Sequence, residues 1–434
     1  MVDFRPIHGC RFNPDVVGSL ASVLCPPYDM IGPELQQALQ QLSPYNAVHL
    51  EGGEQPDPAE PEGSYLEAAG LFRQWLEQGV LKPDDAPRFY LMRHGYTFQG
   101  QVRQQLALFG GMAVEEYDTH RVLPHEYTRE PAVQDRVKLL QACQAQFSPI
   151  MSLYRDSHHS LQPVLDLAMS QPPVLEVSGT AVQGTPDGDL SMWAIDHTES
   201  LRSIRQFFVD KPVFLADGHH RYEAALRHRA GGALAEYGES PRADGFVMMA
   251  LVEFDDPGLL LLPYHRGVGN LSETQLHQLC DQLDRLFETE PFDLTAGGVE
   301  GLVQEVASRG RGRHVLGVVE PQPGDATLRT LREEVDWRQW GSLAVSEGWV
   351  LEEQVLKPVI GENAALQVDY SHDPQGLVDR VGAGKLQLAF LLKPFPMDTF
   401  EEIVGNGQRL PSKSTFFYPK LPTGLVIHRL DGPL

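Results

Sequence analysis

Hydrophobic and polar positions along the chain alternate between helical and extended periods, and each change of period marks a change of element. SYLEAAGLFRQWLEQG, from Ser64 to Gly79, carries Tyr65, Leu66, Ala69, Phe72 and Leu76 at helical spacing and predicts a helix with one apolar face. Further helices are expected from Pro33 to Leu42, from Pro131 to Ala145, from Thr198 to Val209 and from Ser272 to Phe287. The last opens with a Ser272/Gln275 capping box. RFYLMRHGYTFQGQVRQQLALFGGMAVEEYD, from Arg88 to Asp118, reads as paired strands with glycine turns. FSPIMSLYRD, LEVSGTAV, LSMWAID, KPVFLA, DGFVMMALVEF and GLLLLPYHR are also expected to be extended. EQPDPAEPEG, from Glu54 to Gly63, is a solvated loop by composition, and STFFYPK and TGLVIHRL close the chain as two strands. The expected class is α+β with a mixed sheet, in three segments: 1–156, 157–289 and 290–434.

Charge narrows the partners. Lys and Arg number 35 against 59 Asp and Glu, a formal net charge of −24, and no two basic residues are adjacent. Such a chain is repelled by phosphate backbones, so neither nucleic acid nor an anionic membrane is an expected partner. A small anion in one local positive pocket stays compatible, as does a homo-oligomer. No apolar run approaches the roughly 20 residues of a membrane span, and MVDFRPIHGCRF has no secretory pattern. Cys10, Cys25, Cys143 and Cys280 form no C-x-x-C pair and fit reduced thiols, so a cytoplasmic location is expected.

The densest polar chemistry lies in KPVFLADGHHRYEAALRHR, from Lys211 to Arg229, where a strand-like run meets a helix-like run. A helix that opens there directs its first backbone N–H groups outward with no intrahelical acceptors, and its dipole adds roughly half a positive charge. Gly218 allows close backbone approach, Asp217 can cap the helix or hold a metal, and Arg221 offers the planar fork that suits phosphate. His219 and His220 can donate hydrogen bonds or move protons near neutral pH. The alternative is an ordinary capped helix with two surface histidines.

ADGHHRYEAAL resembles the phosphate-binding strand–loop–helix of the ParB/sulfiredoxin superfamily, which includes ParB-type partition proteins, sulfiredoxin and free-serine kinases. The whole chain is also identified as a member of a bacterial and archaeal family known only as a domain of unknown function. The blocks that carry this are CPPYDMI, LPHEYTREPAVQDRVKLLQA, FSPIMSLY, FLADGHHRYEAAL, LLLLPYHR and SKSTFFYPKLPTGLV, in order along the chain. The resemblance implies a ParB/sulfiredoxin-like core with additional α/β segments. Sulfiredoxin has its reactive cysteine where this chain has His219, which removes sulfinic-acid repair. The serine kinases carry a loop of the same residue types, so by resemblance Gly218, His219, His220 and Arg221 would contact nucleotide or phosphoryl oxygens.

Other positions complete the candidate chemistry. His125 and Glu126 in LPHEYTRE make an acid/base pair with Arg129, Asp135 and Arg136 nearby, and the spacing is not that of an H-E-x-x-H zinc site. The PPYD turn presents Asp29 as a base or magnesium ligand, and LPYHR ends a strand with His265 and Arg266. GQRLPSKS comes near a P-loop but has Ser412 at the second glycine and Pro411 within the cradle; Lys413 and Lys420 can still reach a phosphate.

The expected function is binding of a small phosphate compound or nucleotide by a phosphotransferase acting on a small hydroxy metabolite. Free serine is the leading acceptor, with action in reverse or as a phosphatase included. Mg²⁺ with ATP, ADP or pyrophosphate is the expected donor system, and no dedicated protein metal site is assigned. Catalysis is expected from His219, His220, Glu126, Asp29 and His125. Phosphate contacts are expected from Asp217, Gly218, Arg221, Lys413 and Arg266. A non-catalytic nucleotide-binding regulator is the alternative, and a ParB-like DNA-associated protein is the third reading, disfavoured by charge.

Overall fold

The computed structural model describes residues 2–52, 63–178, 182–231, 241–321, 325–361, 367–411 and 413–434. The loop expected from Glu54 to Gly63, most of it, and Ser412 of the P-loop-like stretch lie outside these residues. The chain divides into two compact units, 1–260 with 419–434, and 261–418. The three-segment division expected from sequence does not follow these lines. Strand Ile150–Tyr154 pairs with Val213–Asp217 and with Phe246–Glu253 across the 156/157 boundary, and strand Phe287–Asp293 runs through the 289/290 boundary. Backbone pairing between distant segments, invisible to local composition, decides the division.

The first unit is built on a nine-stranded sheet. Its order is Val122–Leu123, Val213–Asp217, Ile150–Tyr154, Phe246–Glu253, Gln101–Ala113, Phe89–Phe98, Gly188–Ile195, Leu175–Val177, with Phe4–Arg5 also on Gln101–Ala113. Two pairings are parallel, Val213–Asp217 with Val122–Leu123 and Phe246–Glu253 with Ile150–Tyr154; the others are antiparallel. The α+β class with a mixed sheet is therefore what the chain adopts. The hairpin Phe89–Phe98/Gln101–Ala113 turns on Gln99 and Gly100, both at positive φ, the geometry whose twist matches the strands it joins. Leu91, Leu108, Leu215, Met249 and Leu251 pack from the sheet onto Ile204, Phe208, Tyr222 and Leu226 of two helices.

A second core of this unit centres on the helix Gly63–Glu77 and a four-stranded sheet that includes Gly9–Phe12 and Ile427–Arg429. The helix buries Tyr65, Ala68, Ala69, Phe72 and Trp75. Leu66, expected on the apolar face, is 68% exposed; the face turns toward Trp75 because that indole packs edge-on to Tyr45. The four cysteines are free, and Cys10, Cys25 and Cys143 are buried.

The second unit carries a six-stranded sheet, Phe287–Asp293, Asp325–Leu331, Val315–Val319, Leu388–Leu391, His265–Val268 and Val368–Ser371. The helix Glu273–Leu286 lies against it and is capped by the expected Ser272/Gln275 box. Among the described residues, no helix is long and apolar enough to cross a membrane.

Candidate functional site

Two loops leave the same edge of the first unit's sheet. Val213–Asp217 and Val122–Leu123 run parallel, with Val213 beside Val122 and Phe214 beside Leu123, so their C-terminal ends lie together. Parallel pairing therefore brings the LPHEYTRE loop onto the DGHHR loop. Each loop opens a helix, Glu130–Cys143 and His219–Gly231, and the two helices pack through Val133, Val137 and Ala224.

Asp217 ends its strand 8% exposed, and each of its oxygens meets a cation. Oδ2 accepts from Arg221 Nη2 at 2.7 Å, and Oδ1 accepts from Lys420 Nζ. Burial alone raises the Asp217 carboxyl, but Lys420 and then Arg221 outweigh it and hold the group well below the usual carboxylate range. Arg221 is fixed further by donating from Nη1 to Ser148 Oγ at 2.9 Å and to the Pro149 carbonyl at 2.5 Å. The guanidinium thus acts as a strut between strand, loop and helix.

The same network runs on. Ser148 donates to Glu51 Oε1 at 2.9 Å, Glu51 accepts from Arg136 Nη1 at 3.4 Å, and Arg136 Nε donates to Asp135 at 2.6 Å. Tyr65 Oη donates to the other Asp135 oxygen at 2.6 Å, and the Arg136 guanidinium lies 4.0 Å from the Tyr28 ring centroid. Glu51 and Arg136 also border a cleft of about 740 Å³ between the helices Val48–Glu51 and Gly63–Glu77.

Gly218 stands at φ +92°, and an added Cβ would come within 2.9 Å of the Arg221 guanidinium. Both facts require glycine here. Gly218→Ala is expected to cost about 1–3 kcal/mol and to weaken any anion binding at the loop, measured as a lower denaturant midpoint with unchanged slope. An unchanged midpoint would show that Arg221 yields without cost.

His219 begins the motif helix buried, and its pKa falls to about 3 because burial disfavours the imidazolium and His125 adds to the effect. Its ring meets that of His125 edge to face at 4.5 Å, and its Nε2 accepts the His125 backbone N–H at 3.3 Å. His125 Nδ1 lies 2.6 Å from the Leu215 carbonyl, which fixes that nitrogen as the protonated one, and Nε2 is 3.7 Å from Glu126 Oε1. His220 Nε2 accepts the Arg129 backbone N–H at 3.1 Å. His125, Glu126 and His219 each offer a ligand atom, all within 4.8 Å of one another.

The two loops therefore bring Asp217, Gly218, His219, His220, Arg221, His125 and Glu126 together. Asp29 sits exposed on the short turn Tyr28–Met30. Lys413 and Arg266 belong to the second unit. There Arg266 is 1% exposed and donates to Glu352 at 2.7 Å, while Lys413 Nζ lies 5.2 Å from the Tyr264 ring centroid. His265, beside Arg266, accepts the Leu392 backbone N–H at 3.0 Å. Lys420 enters as a partner of Asp217, and Glu51 and Ser148 enter unannounced. Ser148 lies in the quoted block FSPIMSLY, whereas Glu51, in VHLEGG, offers no spacing signal.

Comparison with solved structures returns distant similarities. A conserved hypothetical protein from Pyrococcus furiosus is 10% identical, with 73% of this chain and 93% of that one covered at a TM-score of 0.34. A free serine kinase in complex with AMP is 10% identical, with coverages of 72% and 86% and a TM-score of 0.35. SbnI with a C-terminal truncation, from Staphylococcus aureus, is 13% identical, with coverages of 75% and 87% and a TM-score of 0.36. No curated protein matches the chain. The family described as "Protein of unknown function (DUF1015)" matches residues 4–346, and the chain belongs to that family.

Proposed function

We propose that the first unit binds a small phosphate compound at the Asp217–Arg221 loop and acts as a phosphotransferase. The donor would be ATP, ADP or pyrophosphate with Mg²⁺, and the acceptor a small hydroxy metabolite, free serine first among them. The observation that supports this reading is the charge behind the motif helix. Asp217 faces two cations, Lys420 and Arg221, and neutralises only one, so the group behind the motif helix carries one net positive charge, while the Glu126 carboxylate stands on the facing loop. That combination favours an oxyanion at the first-turn N–H groups of the motif helix.

Roles follow from the contacts. Arg221 and Asp217 hold the loop in shape, and the backbone N–H groups would take the phosphoryl oxygens. His219 and His220 would steady the transferring group, and Glu126, on the imidazole of His125, is proposed as the base. The resemblance of ADGHHRYEAAL to the serine-kinase loop supports the same assignment.

The test is thermal unfolding of the full chain with ATP, ADP, pyrophosphate, serine and phosphoserine, each with and without Mg²⁺, followed by phosphorus NMR of any stabilising pair. A ligand at 100 times its Kd adds about 2.7 kcal/mol of stability. Stabilisation that Arg221→Ala abolishes, together with transfer seen by NMR, is the expected result. Stabilisation without turnover would instead make the protein a nucleotide-binding regulator. Failure of every phosphate compound to stabilise the chain would leave the loop as a capped helix start.

A further inference from the structure

We infer that His125, Glu126 and His219 form a binding site for one divalent transition-metal ion at the mouth of the DGHHR loop. Sequence spacing gives no hint of it, because His125–Glu126 and His219 lie on separate loops and meet only through the parallel pairing of their strands.

Three observations carry the inference. Two imidazole nitrogens and a carboxylate oxygen lie within 4.8 Å of one another. A tetrahedral set with metal–ligand distances of about 2.1 Å has its ligand atoms about 3.4 Å apart, so closure asks only for small side-chain rotations. The His125 Nε2 to Glu126 Oε1 distance is already 3.7 Å. Next, His125 Nδ1 is held on the Leu215 carbonyl at 2.6 Å. A carbonyl on the far ring nitrogen is the usual outer partner of a metal-binding histidine, because it sets the tautomer and aims the other lone pair at the ion. Last, His125 and His219 are 1% and 7% exposed while Glu126 is half-buried, so the set is closed behind and open at Glu126. Three protein ligands with an open side is the arrangement of a metal that meets a substrate rather than a structural one.

The long 3.3 Å bond from the His125 backbone N–H to His219 Nε2 is the contact that an ion would replace. Imidazole and carboxylate together select Zn²⁺, Mn²⁺ or a similar ion over Mg²⁺ and Ca²⁺, which prefer all-oxygen shells. The charges of Asp217, Glu126, Lys420 and Arg221 cancel, so an ion would give the loop a net charge of +2 toward the open side. The site shares Glu126 and His219 with the proposed phosphate chemistry and would give them the role of metal ligands in place of base and phosphoryl contact; it is tested with metal alone, so its failure is distinguishable from failure of that reading.

The experiment is calorimetric titration of tag-free, chelator-treated full chain with Zn²⁺ and, separately, Mg²⁺, with metal content measured after dialysis. A Co²⁺ visible spectrum would report the ligand set. One Zn²⁺ per chain is expected, bound in preference to Mg²⁺. Glu126→Gln and His219→Gln should each weaken it by more than the 10–100-fold, roughly, that disturbing an outer partner costs, and should change the Co²⁺ spectrum. Glu126 stands at the rim, so Glu126→Gln decides the matter even if His219→Gln does not fold, with circular dichroism as the check. Absence of a stoichiometric Zn²⁺ site, preference for Mg²⁺, or equal affinity and an unchanged spectrum in Glu126→Gln would overturn the inference.

Discussion

Lys420→Met is expected to destabilise the first unit by about 3 kcal/mol, measured as the unfolding free energy in denaturant at pH 7. Lys420 is 8% exposed, and its ammonium sits on an equally buried Asp217 carboxylate. Methionine fills the space of the stem but leaves Asp217 Oδ1 with no cation, and a buried charge stripped of a partner costs about 3–5 kcal/mol. The low end applies because Arg221 still holds Oδ2 at 2.7 Å. The double variant Lys420→Met/Asp217→Asn should lose less than the sum of the single losses, since no unpaired carboxylate is then buried. A single-variant loss within about 0.5 kcal/mol, the range of ordinary surface changes, would mean that water already compensates the pair.

Acid should weaken both units through buried histidines that the fold keeps neutral. Burial lowers the pKa of His265, in the second unit, to about 3 and that of His428, in the first, to about 4. In the unfolded chain both titrate near the ordinary histidine value of about 6.5. The native state therefore keeps these rings neutral while the unfolded state takes up protons. Stability contributed by the neutral rings is full above about pH 6.5 and is lost as pH falls toward the folded values. By pH 5 each ring accounts for about 2 kcal/mol of lost stability. His265→Asn keeps an acceptor for the Leu392 N–H and removes the titration, so the second unit should lose about 2 kcal/mol less than the natural chain between pH 7.5 and pH 5. Equal losses in the two proteins would show that His265 is already protonated in the fold.

Local chemistry was legible where local physics decides the outcome. The capping box at Ser272, the turn at Gln99–Gly100 and the strand ending at Asp217 each follow from a few adjacent residues. The DGHHR loop was readable for the same reason, since a glycine between a strand and a helix leaves few conformations. What the sequence concealed is what pairing over long separations creates. His125 meets His219 across 94 positions, and Asp217 meets Lys420 across 203. Arg221 illustrates the limit from the other side. Its residue type suits phosphate, yet the fold ties its guanidinium to Asp217, at i,i+4 spacing, and to Ser148 and Pro149, which no spacing announces.

The first unit is interrupted: residues 261–418 form the second unit before the chain returns at Pro419. Lys420 and the strand Ile427–Arg429, which pairs with both Gly9–Phe12 and Ala145–Gln146, come after that interruption. During synthesis, then, the DGHHR loop emerges long before the lysine that balances its aspartate, and every residue of the inserted unit must be translated in between. A chain halted anywhere before Lys420 would lack one of the two cations on Asp217 and the strand Ile427–Arg429 of the four-stranded sheet. Assembly of the candidate site therefore waits until the whole inserted unit has been translated.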